Sequence, residues 1–159
     1  MNNRSDTIKR LLDVHPRAFF VLSNGLTSRE AVHFHREDRC LYLLHGMGEA
    51  LSVGVGLSMA QPELEIVVID GDGNALMGLS SWSQMPRKNI TYYVLDNGMH
   101  ETTGGQVLPA FPCVPRWCNL IKVPPGKADT PNPPHPADLW RACRNWLNSR
   151  ETDTIPHHG

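Results

Sequence analysis

The chain has 159 residues, 40% hydrophobic and 19% charged, enough for one domain that buries roughly 68–70% of its unfolded surface and too few for two sizeable ones. Fifteen lysines and arginines against sixteen aspartates and glutamates leave a formal charge of −1, which excludes a cationic field for nucleic acid or an anionic membrane. No run reaches the roughly 18–20 apolar residues of a membrane span, and Met1-Asn2-Asn3-Arg4-Ser5-Asp6 leads into a charged helix, so the expectation is a soluble, cytoplasmic chain.

In chain order, Ser5 and Asp6 precede a helical pattern over Thr7–Val14, as capping residues do. Ala18–Ser23 is a short apolar run and predicts a buried strand. Thr27-Ser28-Arg29-Glu30 has the T-x-x-E form of a capping box and predicts a helix to about Arg36. Leu41–Leu44 predicts a second strand, Gly48–Ala60 a helix, Glu65–Asp70 the clearest strand, Ala75–Gln84 a helix and Ile90–Leu95 another strand. Strand, helix and strand within about 30 residues form a βαβ unit, so the sheet is parallel and the fold a doubly wound α/β domain.

Nine of the 13 prolines lie between Pro109 and Pro136, which leaves room for little regular structure beyond a strand at Asn119–Val123. Ala137–Ser149 predicts an amphipathic closing helix with Leu139, Cys143, Trp146 and Leu147 on one face. Residues 1–150 are read as one domain and 151–159 as a disordered tail, its His157-His158 pair a polar end. Cys40, Cys113, Cys118 and Cys143 include no CxxC pair, which predicts free or structural thiols.

In parallel sheets ligands gather at the carboxyl ends of strands. Asn24-Gly25-Leu26, His45-Gly46-Met47-Gly48, Gly71-Asp72-Gly73-Asn74 and Asp96-Asn97-Gly98-Met99 all fall at such ends. Asp72 follows one strand and Asn97 ends the next, and neighbouring strands lie about 4.8 Å apart, so one carboxylate and one amide oxygen can meet a single cation. That incomplete, oxygen-only shell suits Mg²⁺, which keeps positions for water and ligand phosphates. The glycines beside Asp72 let backbone approach an anion, and the following helix aims free N–H groups at it.

Gly71-Asp72-Gly73 followed by Asn97 resembles the diphosphate-and-Mg²⁺ motif of thiamine-diphosphate enzymes. The wider set, Asn24–Glu30, Gly46-Met47-Gly48, Gly71–Met77 and Asp96–Gln106, resembles the cofactor-binding half of phosphonopyruvate and sulfopyruvate decarboxylases. The resemblance covers roughly residues 18–147. It implies Asp72 and Asn97 as Mg²⁺ ligands by side chain and Met99 by its carbonyl. Gly71, Gly73, Asn74 and the Asn24-Gly25 turn would hold the diphosphate. In the Gly46–Gly48 turn, Met47 would wedge the cofactor rings into a V, and the His45 carbonyl would accept from the aminopyrimidine. His100 would face substrate. It further implies a separate, pyrimidine-binding α-type subunit that supplies the activating glutamate. The substrate would be a small anionic 2-oxo acid, 3-phosphonopyruvate or 3-sulfopyruvate, converted to an aldehyde and CO₂. Arg29 and Arg116 are candidate partners for its distal acid group. Related chains carry more structure before the last strand than Val107–Asn119 provides, so a shortened Pro-rich C-terminal region is expected. Two alternatives stay open: carboligation of the acetolactate synthase type, and a non-catalytic scaffold or regulatory subunit. The cysteine spacing disfavours an iron–sulfur oxidoreductase.

Overall fold

Short runs that are apolar at every position, such as Phe19–Leu22 and Ile66–Ile69, are stable only when both faces are covered, and they form the middle of the sheet. The computed structural model describes residues 3–85 and 87–153, with side chains through residue 150. The elements are α1 (Arg4–Val14), β1 (Phe19–Leu22), α2 (Leu26–His35), β2 (Cys40–Tyr42), α3 (Ala50–Ala60), β3 (Ile66–Gly71) and α4 (Asp72–Met77). After a 3₁₀ turn at Leu79–Gln84 come β4 (Ile90–Asp96), β5 (Met99–His100), β6 (Gln106–Val107), β7 (Cys118–Lys122) and α5 (Pro136–Asp153). Strands β2-β1-β3-β4-β7 form one parallel sheet in that order, and β5 and β6 pair as a small antiparallel hairpin.

Alternation along the strands builds two cores. Phe20 and Leu22 of β1 face one side with Val67 and Ile69 of β3, covered by Ile8 and Leu12 of α1 and Ala31 of α2. Phe19, Val21, Ile66, Val68 and Tyr92 face the other, covered by Leu51 and Val55 of α3. Helix α5 packs against the outer strand β2, placing Leu139 in the first core and Cys143 in the second. The doubly wound α/β expectation is therefore observed, and β7 pairs directly with β4 and closes the sheet edge.

Several boundaries differ from the sequence reading, each for a physical reason. Helix α1 starts at Arg4, because Asn3, and not Ser5 or Asp6, is the cap: its side chain accepts from the Asp6 amide at 2.8 Å. The Thr27-x-x-Glu30 pattern is no capping box. Gly25 caps α2 without a side-chain bond, and Glu30 is instead paired with Arg4 at 2.8 Å. Helix α4 starts at Asp72 itself and stops at Gly78 instead of running to Gln84. There the backbone of Gly48 comes so close that a Cβ on residue 78 would lie 2.4 Å from its carbonyl oxygen. Gly78→Ala is accordingly expected to destabilise the chain by about 1–3 kcal/mol. Urea unfolding measures this, and an unchanged midpoint would contradict the close approach. Helix α5 runs on to Asp153; His157-His158 lie outside the described residues.

Candidate functional site

The strands are parallel, so their carboxyl ends share one edge. Strand β2 lies on one side of β1 and β3 on the other, which makes the β1/β3 boundary the point where winding reverses and a crevice opens. The loops after β1, β3 and β4 line one cleft there, with a cavity of about 60 Å³.

Asp72 is its centre. The carboxylate is buried; one oxygen accepts from the Gly73 amide at 2.8 Å, the other from the amides of Asn97 at 3.1 Å and Gly98 at 2.7 Å. The loop after β4 is thus tied to the loop after β3 through this one side chain, and the Asn97 side chain lines the same cleft. Burial pushes the Asp72 carboxyl above its ordinary value, opposed by those amide hydrogen bonds.

The remaining loops are joined to it by Asn74. Its Oδ1 accepts from the Gly48 amide at 3.1 Å and its Nδ2 donates to the Asn24 carbonyl at 3.5 Å. Gly71 donates to Ser23 Oγ at 3.2 Å, which fastens β3 to the end of β1. Gly25 holds φ at +82°, a left-handed conformation that a side chain resists, and lets the chain turn straight into α2. Beside it, Asn24 Oδ1 is buried without a hydrogen-bond partner, a costly condition unless a ligand or water supplies a donor.

The sequence-predicted residues divide plainly. Asn24, Gly25, Met47, Gly71, Asp72, Gly73, Asn74, Asn97, Met99 and His100 all line the cleft. Gly46 and His45 do not. Gly46 turns the chain into Met47 with positive φ, and His45 is exposed. Met47 is 41% exposed at the rim, and the His100 ring lies so close to Gly73 that a Cβ there would sit 2.5 Å from it. Neither Arg29 nor Arg116 lines the cleft. Arg29 donates to Asn132 at 3.1 Å, and Arg116 precedes β7, at the opposite end of the sheet.

Two charged lining residues, Arg4 and Glu101, were not among the residues predicted from sequence. Arg4, 6% exposed, pairs with both Glu30 and Glu101, and Glu101 accepts from Asn97 Nδ2 at 2.6 Å. An ion pair spanning 97 residues leaves no local pattern; the position of Glu101, four residues after Asn97, was the only cue. With Asp72, Glu30 and Glu101 set against one guanidinium, the charge here favours a cation. Among the described residues no three His, Cys, Asp or Glu side chains form a metal cluster, so a cation at Asp72 would draw its other donors from amide and carbonyl oxygens, water or a ligand. The chemistry of that set, with the unpartnered Asn24 oxygen, fits a hydrated divalent ion carrying an anionic group.

The four cysteines are free, and burial pushes Cys118 and Cys143 up to about 11; these are structural thiols. No helix among the described residues is long and apolar enough to cross a membrane.

Residues 23–146 match the family described as thiamine pyrophosphate enzyme, C-terminal TPP binding domain. The chain is 39% identical to a phosphonopyruvate decarboxylase of Streptomyces hygroscopicus over 65% of its own length and 26% of the relative's. It is 36% identical to sulfopyruvate decarboxylase subunit beta of Methanocaldococcus jannaschii, over 65% of this chain and 56% of that one. The same subunit of Methanothermobacter thermautotrophicus is 36% identical over 67% and 58%. The chain therefore spans between a quarter and three-fifths of the relatives it matches. A strand-end cleft built on Gly-Asp-Gly and Asn97, within a match that covers most of the chain, makes this protein a member of the thiamine pyrophosphate enzyme C-terminal, TPP-binding domain family.

Proposed function

We propose that residues 1–150 form the cofactor-binding, β-type subunit of a two-chain thiamine-diphosphate-dependent decarboxylase, working in the cytoplasm on an anionic 2-oxo acid, 3-phosphonopyruvate or 3-sulfopyruvate. The observation that carries this reading is the bond between Asp72 and the Asn97 loop, which brings a carboxylate and an amide to one wall of the cleft. Thiamine diphosphate, when bound, supplies the electron sink that a 2-oxo acid needs to lose CO₂. The chain's own residues bind and orient it. Asp72, the Asn97 side-chain oxygen and the Met99 carbonyl would hold Mg²⁺. The loop Gly71-Asp72-Gly73-Asn74 and the Asn24-Gly25 turn would line the diphosphate, the Asn24 oxygen taking a donor from the cofactor or its water. Met47, at the exposed rim, would support the cofactor rings from below. The His45 carbonyl would accept from the pyrimidine amine, and His100 would face the substrate.

The acidic side chains in the cleft, Asp72 and Glu101, and Glu30 beside them support a partner. Glu30 and Glu101 are committed to Arg4 and Asp72 to three amides, so none is free to activate the pyrimidine ring. That glutamate would come from a pyrimidine-binding α-type subunit in a hetero-oligomer, as the name "subunit beta" of the two methanogen relatives suggests.

The test is reconstitution of the full chain with its pyrimidine-binding partner, supplied in turn with 3-phosphonopyruvate, 3-sulfopyruvate and pyruvate. CO₂ release that needs both chains, thiamine diphosphate and Mg²⁺, with one of the two strong-acid substrates preferred, is the expected result. Coupled products from pyruvate would replace this reading with carboligation, and cofactor binding without turnover would replace it with a scaffold.

A further inference from the structure

An asparagine amide has one oxygen and one nitrogen, and only the oxygen can meet a cation. At Asn97 the two ends have different partners: Nδ2 donates to Glu101 Oε2 at 2.6 Å, and Oδ1 accepts from the Met99 amide at 3.1 Å. Glu101 is itself clamped. Arg4 donates to the same Oε2, and the Gly126 amide donates to Oε1. The other terminal nitrogen of Arg4 donates to Glu30 at 2.8 Å and to the Gly126 carbonyl at 3.2 Å. The three side chains are 7%, 4% and 11% exposed for Arg4, Glu30 and Glu101, so water does not readily substitute for any of them. A carboxylate paired in this way accepts and never donates. Turning the Asn97 amide over would press its oxygen against that of Glu101 and its NH₂ against the Met99 N–H, losing two hydrogen bonds and adding two repulsions.

We propose that Glu101, clamped by Arg4, is a positioning residue that fixes which end of the Asn97 amide a divalent cation meets. It touches neither cation nor cofactor; it acts through Asn97, and the inference rests on the reading of Asp72 and Asn97 as the cation's side-chain ligands. The clamp also recruits distant chain. Arg4 opens α1 and Gly126 follows β7, so the amide's orientation depends on two segments far from the loop in sequence. Partners of this kind behind a metal ligand typically change affinity 10–100-fold when removed.

The experiment measures Mn²⁺ binding to the full chain in the presence of thiamine diphosphate, by electron paramagnetic resonance, for wild type, Glu101→Gln, Asn97→Asp and the double variant. Glu101→Gln should weaken binding by about 10-fold. In the Asn97→Asp background both ends of residue 97 are oxygens and no orientation is needed. There Glu101 only repels its neighbour, so Glu101→Gln should leave binding unchanged or tighten it. A double-mutant cycle isolates this reversal from any effect on folding. An equal loss in both backgrounds would mean a merely structural role and overturn the proposal, as would wild-type affinity in Glu101→Gln. If Glu101→Gln does not fold, Arg4→Lys, which keeps the charge but not the fork, carries the same two-background comparison. A wild-type chain that binds no Mn²⁺ with the cofactor, and in which none of these changes matters, would instead refute the metal reading itself.

Discussion

Replacing Asp72 with alanine is expected to weaken cation-dependent binding of thiamine diphosphate by at least about 100-fold, more than loss of an outer-shell partner does. Asp72 is the one carboxylate in the proposed ligand set, and Mg²⁺ is held in such sites by one or two carboxylates plus phosphates. The same oxygens also accept three backbone amides. Alanine would leave those donors without a partner in a nearly dry site, so the variant should also lose about 1–3 kcal/mol of stability. Asp72→Asn separates the two effects. It keeps an oxygen for the Asn97 and Gly98 amides while removing the charge, so it should fold more stably than the alanine variant yet bind the cofactor no better. Isothermal titration with and without Mg²⁺ reads the binding and urea unfolding the stability. Cofactor affinity in Asp72→Asn that still responds to Mg²⁺ as in wild type would contradict the assignment.

Asp70 should control a large part of the pH dependence of stability. It is fully buried beneath the cleft, where burial raises its carboxyl from 3.8 to about 7, against the opposing hydrogen bonds from Tyr92 at 2.9 Å, Ser23 and the Gly71 amide. In the unfolded chain the group ionises near its ordinary value. Below about pH 4 both states hold the proton and there is no penalty. Between about 4 and 7 the unfolded chain releases it while the folded chain keeps it, so stability falls as pH rises, by about 1.4 kcal/mol per pH unit. Above about 7 the contribution levels off, the total being about 4 kcal/mol. Asp70→Asn cannot ionise. Its unfolding free energy, relative to wild type, should therefore climb by that amount between pH 4 and pH 8, from a starting point set by exchanging a buried carboxylic acid for an amide beside the Tyr92 hydroxyl. Parallel stability curves for the two proteins would show that Asp70 is ionised in the folded chain at neutral pH.

How much of this was legible in the sequence follows from which forces are local. Strands β3 and β4 announce themselves because a strand buried on both faces is β-branched or aromatic almost throughout, as Ile66-Val67-Val68-Ile69 is. The cleft was legible for the same reason: once those strands are parallel, Asp72 and Asn97 must share an edge, and no side-chain detail is needed. Ten of the fourteen residues singled out line it. His45 and Gly46 fall outside because the glycine turn leads the chain into the cleft only at Met47. What was not legible depends on distant partners. The break at Gly78 is imposed by the backbone of Gly48, thirty residues earlier. Thr27 and Glu30 have the spacing of a capping box, but Glu30 serves Arg4, and the pull of a buried guanidinium outweighs a local cap. The β5–β6 hairpin has two residues per strand, too few for an alternation to register. Arg4 was invisible as a site residue and Glu101 was marked only by its place four residues after Asn97, because nothing in either one's neighbourhood specifies the other.

We propose that the loops after β3 and β4 together hold the cation that anchors the cofactor's diphosphate. The most direct test is anomalous scattering from crystals of the chain grown with Mn²⁺ and thiamine diphosphate. One manganese peak is expected about 2.1 Å from an Asp72 carboxylate oxygen and from Asn97 Oδ1, with diphosphate oxygens on the same ion. A cofactor bound with its metal away from both side chains, or a peak at Asp72 alone with Asn97 turned aside, would contradict it.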